Sequence, residues 1–471
     1  MMQTVPVNIV GQTYESRSRP LSVQVCRNLY PEVNPSSKTP TALQSFPGNK
    51  IFYTQSVIGA DRGIYRFNDE LYKVSGTSLY KYTSTGSEYL IGTISGGSPC
   101  VFANNGSVIV IVTGGVVYQY NGVSLSIATD ADFESPNSVA YLKTQMLYDG
   151  DGGRFAVSDA GAPTTITGTY YATAESAGDP LIRVYVFNQI AYMMGSETIE
   201  PWYDSGVGEP PFNPVDGVII EKGLHAIYSV ANTEQYIYFL GSDKNVYRLV
   251  GYQVENVTSP AIGNFLENNT VDDARGFVMK LQGQNIYVLS LKTANKTLCY
   301  SETTGTWFEL SAGVSGDMSK ISSYAYCYGK HLVGDYSNGN IYELDLDTFQ
   351  DNTEVYRRER ITPPISGDMF QKPGAVFSMS KFSLIMETGV GTTTGSDYDV
   401  DPSVVFSASY DGGKSWTNER WVKIGRLGEV VRVDWYHLVA GVREIVIKWY
   451  VTANVFASFH SASIDVEETP Y

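Results

Sequence analysis

The stretch whose residue types and spacing come nearest to a chemical signature is Ser409-Tyr410-Asp411-Gly412-Gly413-Lys414-Ser415-Trp416. It matches Ser-x-Asp-x-Gly-x-(Ser/Thr)-Trp, the Asp-box pattern. The physics of that pattern is a hairpin turn. The Ser409 and Asp411 side chains bond turn amides, Gly413 supplies a positive φ, and Trp416 packs beneath. One copy is present, outside the repeats described below. Ser409, Asp411, Gly413 and Trp416 are therefore expected to form a structural turn.

Other stretches fall short of a site. Asp149-Gly150-Asp151-Gly152-Gly153 opens like a calcium loop, but position twelve is Ala160 where a closing Glu is needed. A tight turn is expected there. Gly389-Val390-Gly391-Thr392-Thr393-Thr394-Gly395 has the wrong last spacing for a dinucleotide loop, lacks the Lys of a P-loop and is followed by no expected helix. It reads as a flexible loop. His225, His331, His437 and His460 are isolated in sequence, and neither GxSxG nor HExxH occurs. Cys26, Cys100, Cys299 and Cys327 are scattered without CxxC spacing and are expected to be free thiols. The sequence offers no catalytic, cofactor-binding or metal-binding set.

The elements that carry these residues are strands. Apolar-Tyr-polar-apolar segments recur: Leu79-Tyr80-Lys81-Tyr82, Val117-Tyr118-Gln119-Tyr120, Val246-Tyr247-Arg248-Leu249 and Ile341-Tyr342-Glu343-Leu344. Weaker copies surround Phe155, Ile199 and Cys299. With Tyr80, Tyr118, Phe155, Ile199, Tyr247, Cys299 and Tyr342 taken as equivalent, the steps are 38, 37, 44, 48, 52 and 43 residues. A period near 40–45 residues with several short strands is the sign of a propeller blade, which must stack on neighbours to bury both faces. The class is all-β, a β-propeller of about seven blades.

The outer segments read differently. Residues 1–50 lack long periodicity, are punctuated by Pro20, Pro31, Pro35, Pro40 and Pro47, and read as an extended arm with a short strand near 21–29. Residues 51–365 hold the repeats. From 366 to 471 the strands lengthen, with 382–386, 404–409, 430–436 and 444–451 expected, giving a C-terminal β-sandwich-like domain.

Composition narrows the function. Charged residues are 17% and tyrosines number 35, a balance suited to broad protein–protein surfaces. The net charge is −16 and the densest basic patch is Arg357-Arg358-Glu359-Arg360, which argues against a protein that grips nucleic acid by its phosphates. An acidic wall still suits a duplex that slides past it. The start has no basic-then-apolar leader, and the longest strongly apolar stretch, 108–112, is far too short for a bilayer. Assembly in the cytoplasm and no membrane contact are expected.

Ordered landmarks carry a resemblance. They are Arg27-Asn28-Leu29-Tyr30-Pro31-Glu32, Leu43-Gln44-Ser45-Phe46-Pro47-Gly48, Gly195-Ser196-Glu197-Thr198-Ile199-Glu200, Glu221-Lys222-Gly223-Leu224 and Trp421-Val422-Lys423-Ile424-Gly425-Arg426-Leu427. Their order over almost the whole chain resembles the tail hub, or packaged-DNA stabilisation, proteins of short-tailed bacteriophages. The resemblance implies a virion protein of the tail, built as a ring of six copies below the portal and its adaptor. It implies closure of the exit after packaging, docking of the tail needle and of tailspikes or fibres, and passage of double-stranded DNA through the lumen. It supplies no catalytic residues. The competing reading is a propeller glycosidase or depolymerase acting on host polysaccharide, since Asp-boxes occur in sialidases. Their Arg triad and repeated boxes are missing from this sequence.

Overall fold

The computed structural model describes residues 2–34, 40–57, 59–168, 170–174 and 178–468; Pro35, one of the prolines of the arm, lies outside them. Seven four-stranded antiparallel blades are formed among the described residues. They run from Asp61–Phe67 to Glu88–Thr93, Val101–Asn104 to Leu125–Ile127, Val139–Leu142 to Tyr171–Thr173, Leu181–Phe187 to Phe212–Pro214, Ala231–Asn232 to Gln253–Asn256, Arg275–Leu281 to Thr306–Ala312, and Ile321–Cys327 to Ile341–Asp345. The seven residues aligned by the repeat all fall in the third strand of a blade. Tyr118 lies in Val116–Tyr120, Tyr247 in Val246–Val250 and Tyr342 in Ile341–Asp345.

Each interface between neighbouring blades holds one apolar cluster. Val74 and Leu79 of the first blade meet Ile109 and Ile111 of the second, all fully buried. Side chains of this size stabilise by roughly 1.5–3 kcal/mol each when buried, which is what a lone blade forgoes. The ring closes where Ile64, Leu71 and Tyr82 of the first blade pack on Cys327, Leu332 and Ile341 of the seventh. The outermost strand of the seventh blade comes from the far N-terminal side of the chain. Gly48–Tyr53 pairs antiparallel with Ile341–Asp345, Gly48 opposite Asp345. The expected limit at residue 51 falls within this strand.

The C-terminal part is two facing sheets. One carries Leu29–Val33, Thr41–Ser45, Ser458–Glu468, Phe377–Met386 and Val433–Val442 in that order, with Gln3–Val7 on Ser458–Glu468. The other runs without a break from the sixth blade through Val23–Arg27, Arg358–Ile361, Glu444–Val451 and Ser403–Ser409 to Arg420–Lys423. Phe382, Phe406, Trp435 and Trp449 stack between them, with ring centroids 5.2–5.9 Å apart. The arm is thus extended, as its prolines indicate, and lies on its own chain, strand-paired to the sandwich, the sixth blade and the seventh. One apolar core joins arm, sandwich and the last two blades.

Two short helices depart from the expectations. Pro260–Glu267, between the fifth and sixth blades, is capped by Ser259, whose hydroxyl accepts from the Ile262 amide. Asp397–Val400 follows the Gly389–Ser396 loop, where no helix was expected; its capping box between Ser396 and Asp399 explains it. The eleven-residue strand Ser458–Glu468 is a further addition to the expected set.

Candidate functional site

The Asp-box stretch follows Ser403–Ser409 and forms a turn with a full set of internal bonds. The Ser409 hydroxyl donates to Asp411 Oδ1 (2.7 Å) and accepts from the Gly413 amide (2.8 Å). Asp411 Oδ1 accepts from the amides of Lys414 and Ser415, each at 2.9 Å, and Oδ2 from the Ser415 hydroxyl at 2.6 Å. Hydrogen bonds from the Ser415 hydroxyl and amide, then from Ser409, hold the Asp411 carboxyl well below the usual carboxylate range. Gly413 sits at φ 80°, and the half-buried Trp416 ring lies 4.2 Å beneath the Lys448 ammonium. Arg19 of the arm donates to the carbonyls of Gly412 (3.4 Å) and Gly413 (3.2 Å). Both carboxylate oxygens of Asp411 are engaged by turn partners, and the Arg19 bonds tie the arm to this turn of the sandwich.

The landmark Arg27-Asn28 sits where arm, sixth blade and linker meet. Arg27 bridges Glu309 (3.3 Å) and Glu359 (2.7 Å), and Lys296 bridges Glu309 (3.0 Å) and Glu15 (3.4 Å). Burial works against the Arg27 charge, but Glu309 and Glu359 outweigh it and hold the guanidinium above its ordinary range. Asn28, at φ 53°, donates from its amide to Ser311 and the Arg357 carbonyl and accepts from the Ser311 amide.

The densest basic patch of the sequence, Arg357-Arg358-Glu359-Arg360, would ordinarily lie in solvent. Arg358 and Arg360 are instead fully buried in Arg358–Ile361. Arg360 donates to the carbonyls of Ile9 (2.8 Å) and Val25 (3.1 Å) and to Gln24 Oε1 (2.8 Å). Arg358 donates to Ser45 Oγ (3.3 Å) and to the carbonyls of Ala453 and Val455. Burial pulls both guanidinium groups down to about 10, so both stay charged at neutral pH. The period-two spacing of Arg358 and Arg360 on one strand was the available signal. These two side chains clasp arm, linker and sandwich.

The remaining landmarks are packing devices. Gly195-Ser196-Glu197-Thr198 is the second turn of the fourth blade, where Asp179 accepts from the amides of Glu197 (2.7 Å) and Thr198 (3.1 Å). Leu224, next to Gly223, donates its amide to the Gly195 carbonyl at 2.8 Å. Trp421 lies on the sheet-edge strand Arg420–Lys423, exposed, and Gly389 donates to the Ile424 carbonyl (2.7 Å), so the glycine loop lies along this landmark. The Asp149–Gly153 turn uses its acid internally: Asp149 accepts from the Ser138 hydroxyl at 2.7 Å and from the Asn137 and Ser138 amides. The histidines stay apart; His225 faces Asp272, His331 faces Tyr324 and His460 faces Ser458. All four cysteines are free thiols, and burial pushes Cys26 up to about 12.

Among solved structures, the chain is similar to the WD40 β-propeller domain of Doa1, at 10% identity over 64% of this chain and 98% of that one, TM-score 0.42. It is also similar to BamB from Moraxella catarrhalis, at 7% identity over 74% of this chain and 98% of that one, TM-score 0.40. No curated protein matches the sequence. A family model for the β-propeller of bacteriophage P22 Gp10 matches residues 3–349, and one for the β-sandwich of the same protein matches 365–467. The two matches together span nearly the whole chain, so it belongs to the bacteriophage P22 Gp10 family of packaged-DNA stabilisation proteins and is a structural protein of a phage tail.

Proposed function

We propose that this chain is the subunit of a six-membered ring below the portal and its adaptor, closing the DNA exit after packaging. In this reading the ring retains the genome, docks the tail needle and the tailspikes or fibres, and lets the duplex pass at ejection. It works as a non-enzymatic part of the virion tail, assembled in the host cytoplasm, without cofactor or membrane contact. Family membership over nearly the whole chain is the observation that carries the reading.

Geometry and charge support it. Interfaces between domains of one chain commonly permit relative motion. Here an unbroken sheet, a common core and two buried arginines join the parts, as a subunit that bears load requires. The net charge of −16 suits a lumen that repels phosphates, so retention comes from a docked plug and not from affinity for DNA. The chain divides, on this view, into a strap (1–50), a propeller (51–365) and a sandwich (366–471), with Ser409, Asp411, Gly413 and Trp416 as a structural turn that anchors the strap. Negative-stain microscopy of the purified chain mixed with portal–adaptor complex tests the reading. A sixfold ring capping the adaptor is expected; a chain that leaves the adaptor bare contradicts it.

A further inference from the structure

The innermost strands of six blades surround a cavity of about 390 Å³ on the propeller axis. Its wall contains Arg62, Arg183 and Arg275 and no Asp, Glu or Lys. In a chain with 49 acidic and 33 basic residues, this is a local inversion of charge.

The three arginines differ in what they do. Arg62 is committed to the fold. It donates to the carbonyls of Ser98 (2.7 Å), Gly76 (2.9 Å), Ile94 (2.9 Å) and Ser95 (3.0 Å) and to Thr113 Oγ1 (2.9 Å), bolting the first blade to the second. Arg183 is 9% exposed, donates from Nη1 to the Ile227 carbonyl at 2.5 Å, and has a buried Nε with no partner. Arg275 donates from Nη1 to the backbone carbonyl of Asp61 at 3.1 Å. The Asp61 carboxylate is itself held by the hydroxyls of Ser322 (2.6 Å) and Ser323 (2.5 Å), with Lys73 at 3.8 Å. Burial lowers the Arg183 guanidinium from its ordinary range, the direction an adjacent anion would reverse.

A buried guanidinium donor without a partner is costly, and the planar fork of arginine matches a carboxylate or phosphate with two parallel bonds. The rings of Tyr185 and Tyr228 lie in the same wall, and the Arg183 guanidinium stands 5.3 Å from the Tyr185 centroid. They offer an apolar surface to whatever carries the anion. A wider cavity of about 810 Å³ shares Asn232, Val278 and Tyr324 with the inner one and gives access to it. The charges at this mouth, Glu234 and Lys280, are paired with each other at 2.8 Å. The inner volume is in the range of small-molecule sites and holds no duplex.

We propose that the axial cavity binds a small oxyanion, a carboxylate or phosphate group, with Arg183 and Arg275 as its ligands. The proposal is independent of the ring reading above.

Isothermal titration of the full chain with inorganic phosphate and, in a second arm, with citrate tests this and separates the two anion classes. Saturable binding of one anion per chain is expected in at least one arm. Arg183→Gln should weaken it tenfold or more, and Arg183→Lys, which keeps the charge and loses the fork, should weaken it less. Arg154→Gln, on the third blade outside the cavity, should leave it unchanged. Arg275→Gln serves if Arg183→Gln fails to fold. Cys100 lines the same wall and is the one cysteine that is not buried. Its alkylation by iodoacetamide at alkaline pH should slow when the bound anion is added to the unaltered chain. Absence of both saturable heat and Cys100 protection up to about 10 mM anion overturns the proposal. Undiminished affinity in a folded Arg183→Gln chain overturns it equally.

Discussion

Gly223 lies against the backbone of Ser196, so close that a Cβ on Gly223 would stand 2.1 Å from both the carbonyl carbon and the carbonyl oxygen of Ser196. The two residues belong to two of the sequence landmarks that carry the resemblance, one in the fourth blade and one leading into the fifth. Their proximity shows what those landmarks encode, the approach of one backbone to another with no room for a side chain.

Gly223→Ala should therefore destabilise the propeller by about 1–3 kcal/mol, because backbone on both sides must shift. Gly97→Ala, where an added Cβ meets nothing within 4 Å, is the matched control and should be near neutral. Chemical denaturation of both variants checks this; equal midpoints would mean that the close approach is wrong.

Arg360→Met should loosen the arm. It leaves the carbonyls of Ile9 and Val25 and the Gln24 side chain without their donor, at about 2–5 kcal/mol in total. Arg360→Lys should rescue little, since one ammonium cannot span three acceptors fixed by a planar fork. Limited trypsin digestion reads the effect directly: cleavage after Arg17 should accelerate in both variants. An unchanged digestion rate would show that the arm is held elsewhere.

Asp411→Ala and Gly413→Val should both lower the stability of the sandwich. Valine at φ 80° costs about 1–3 kcal/mol. The Asp411 effect carries a pH signature. Its carboxyl is held below the usual range in the folded chain, so the unfolded chain takes up the proton first. Its contribution is complete above the ordinary Asp value of about 4 and fades as pH falls below it. The gap in denaturation midpoint between the parent chain and Asp411→Ala should be widest near neutral pH and shrink below about pH 4. A gap that stays constant with pH contradicts the ionised turn.

The propeller was legible because Tyr80, Tyr118, Tyr247 and Tyr342 repeat a local pattern, each on the third strand of its own blade. Gly48–Tyr53 escaped notice because its ladder partner, Ile341–Asp345, is almost 300 residues away and local periodicity carries no trace of it. The strands of the arm are five residues or fewer apart from this one, too short to alternate convincingly. The burial of Arg358 and Arg360 escaped the sequence because charged side chains are usually solvated; only the tertiary fold supplies the carbonyls that bury them. Arg183 sits in Leu181-Ile182-Arg183-Val184-Tyr185-Val186-Phe187, a charge inside an apolar strand, and that interruption was a usable signal.

The assembled ring should show no appreciable affinity for duplex DNA at physiological salt. The surplus of 49 acidic over 33 basic residues provides the repulsion, and two of the three arginines in the densest basic cluster are fully buried in the clasp. A tight complex that weakens steeply with added salt, measured by fluorescence anisotropy, would refute the repelling lumen.

Genome retention is the central claim, and the DNA content of particles assembled without this chain tests it most directly. Such particles should package full-length DNA and then lose it, and adding back the purified chain to freshly packaged heads should preserve the filled state. Heads that keep their DNA indefinitely without the chain would contradict the account.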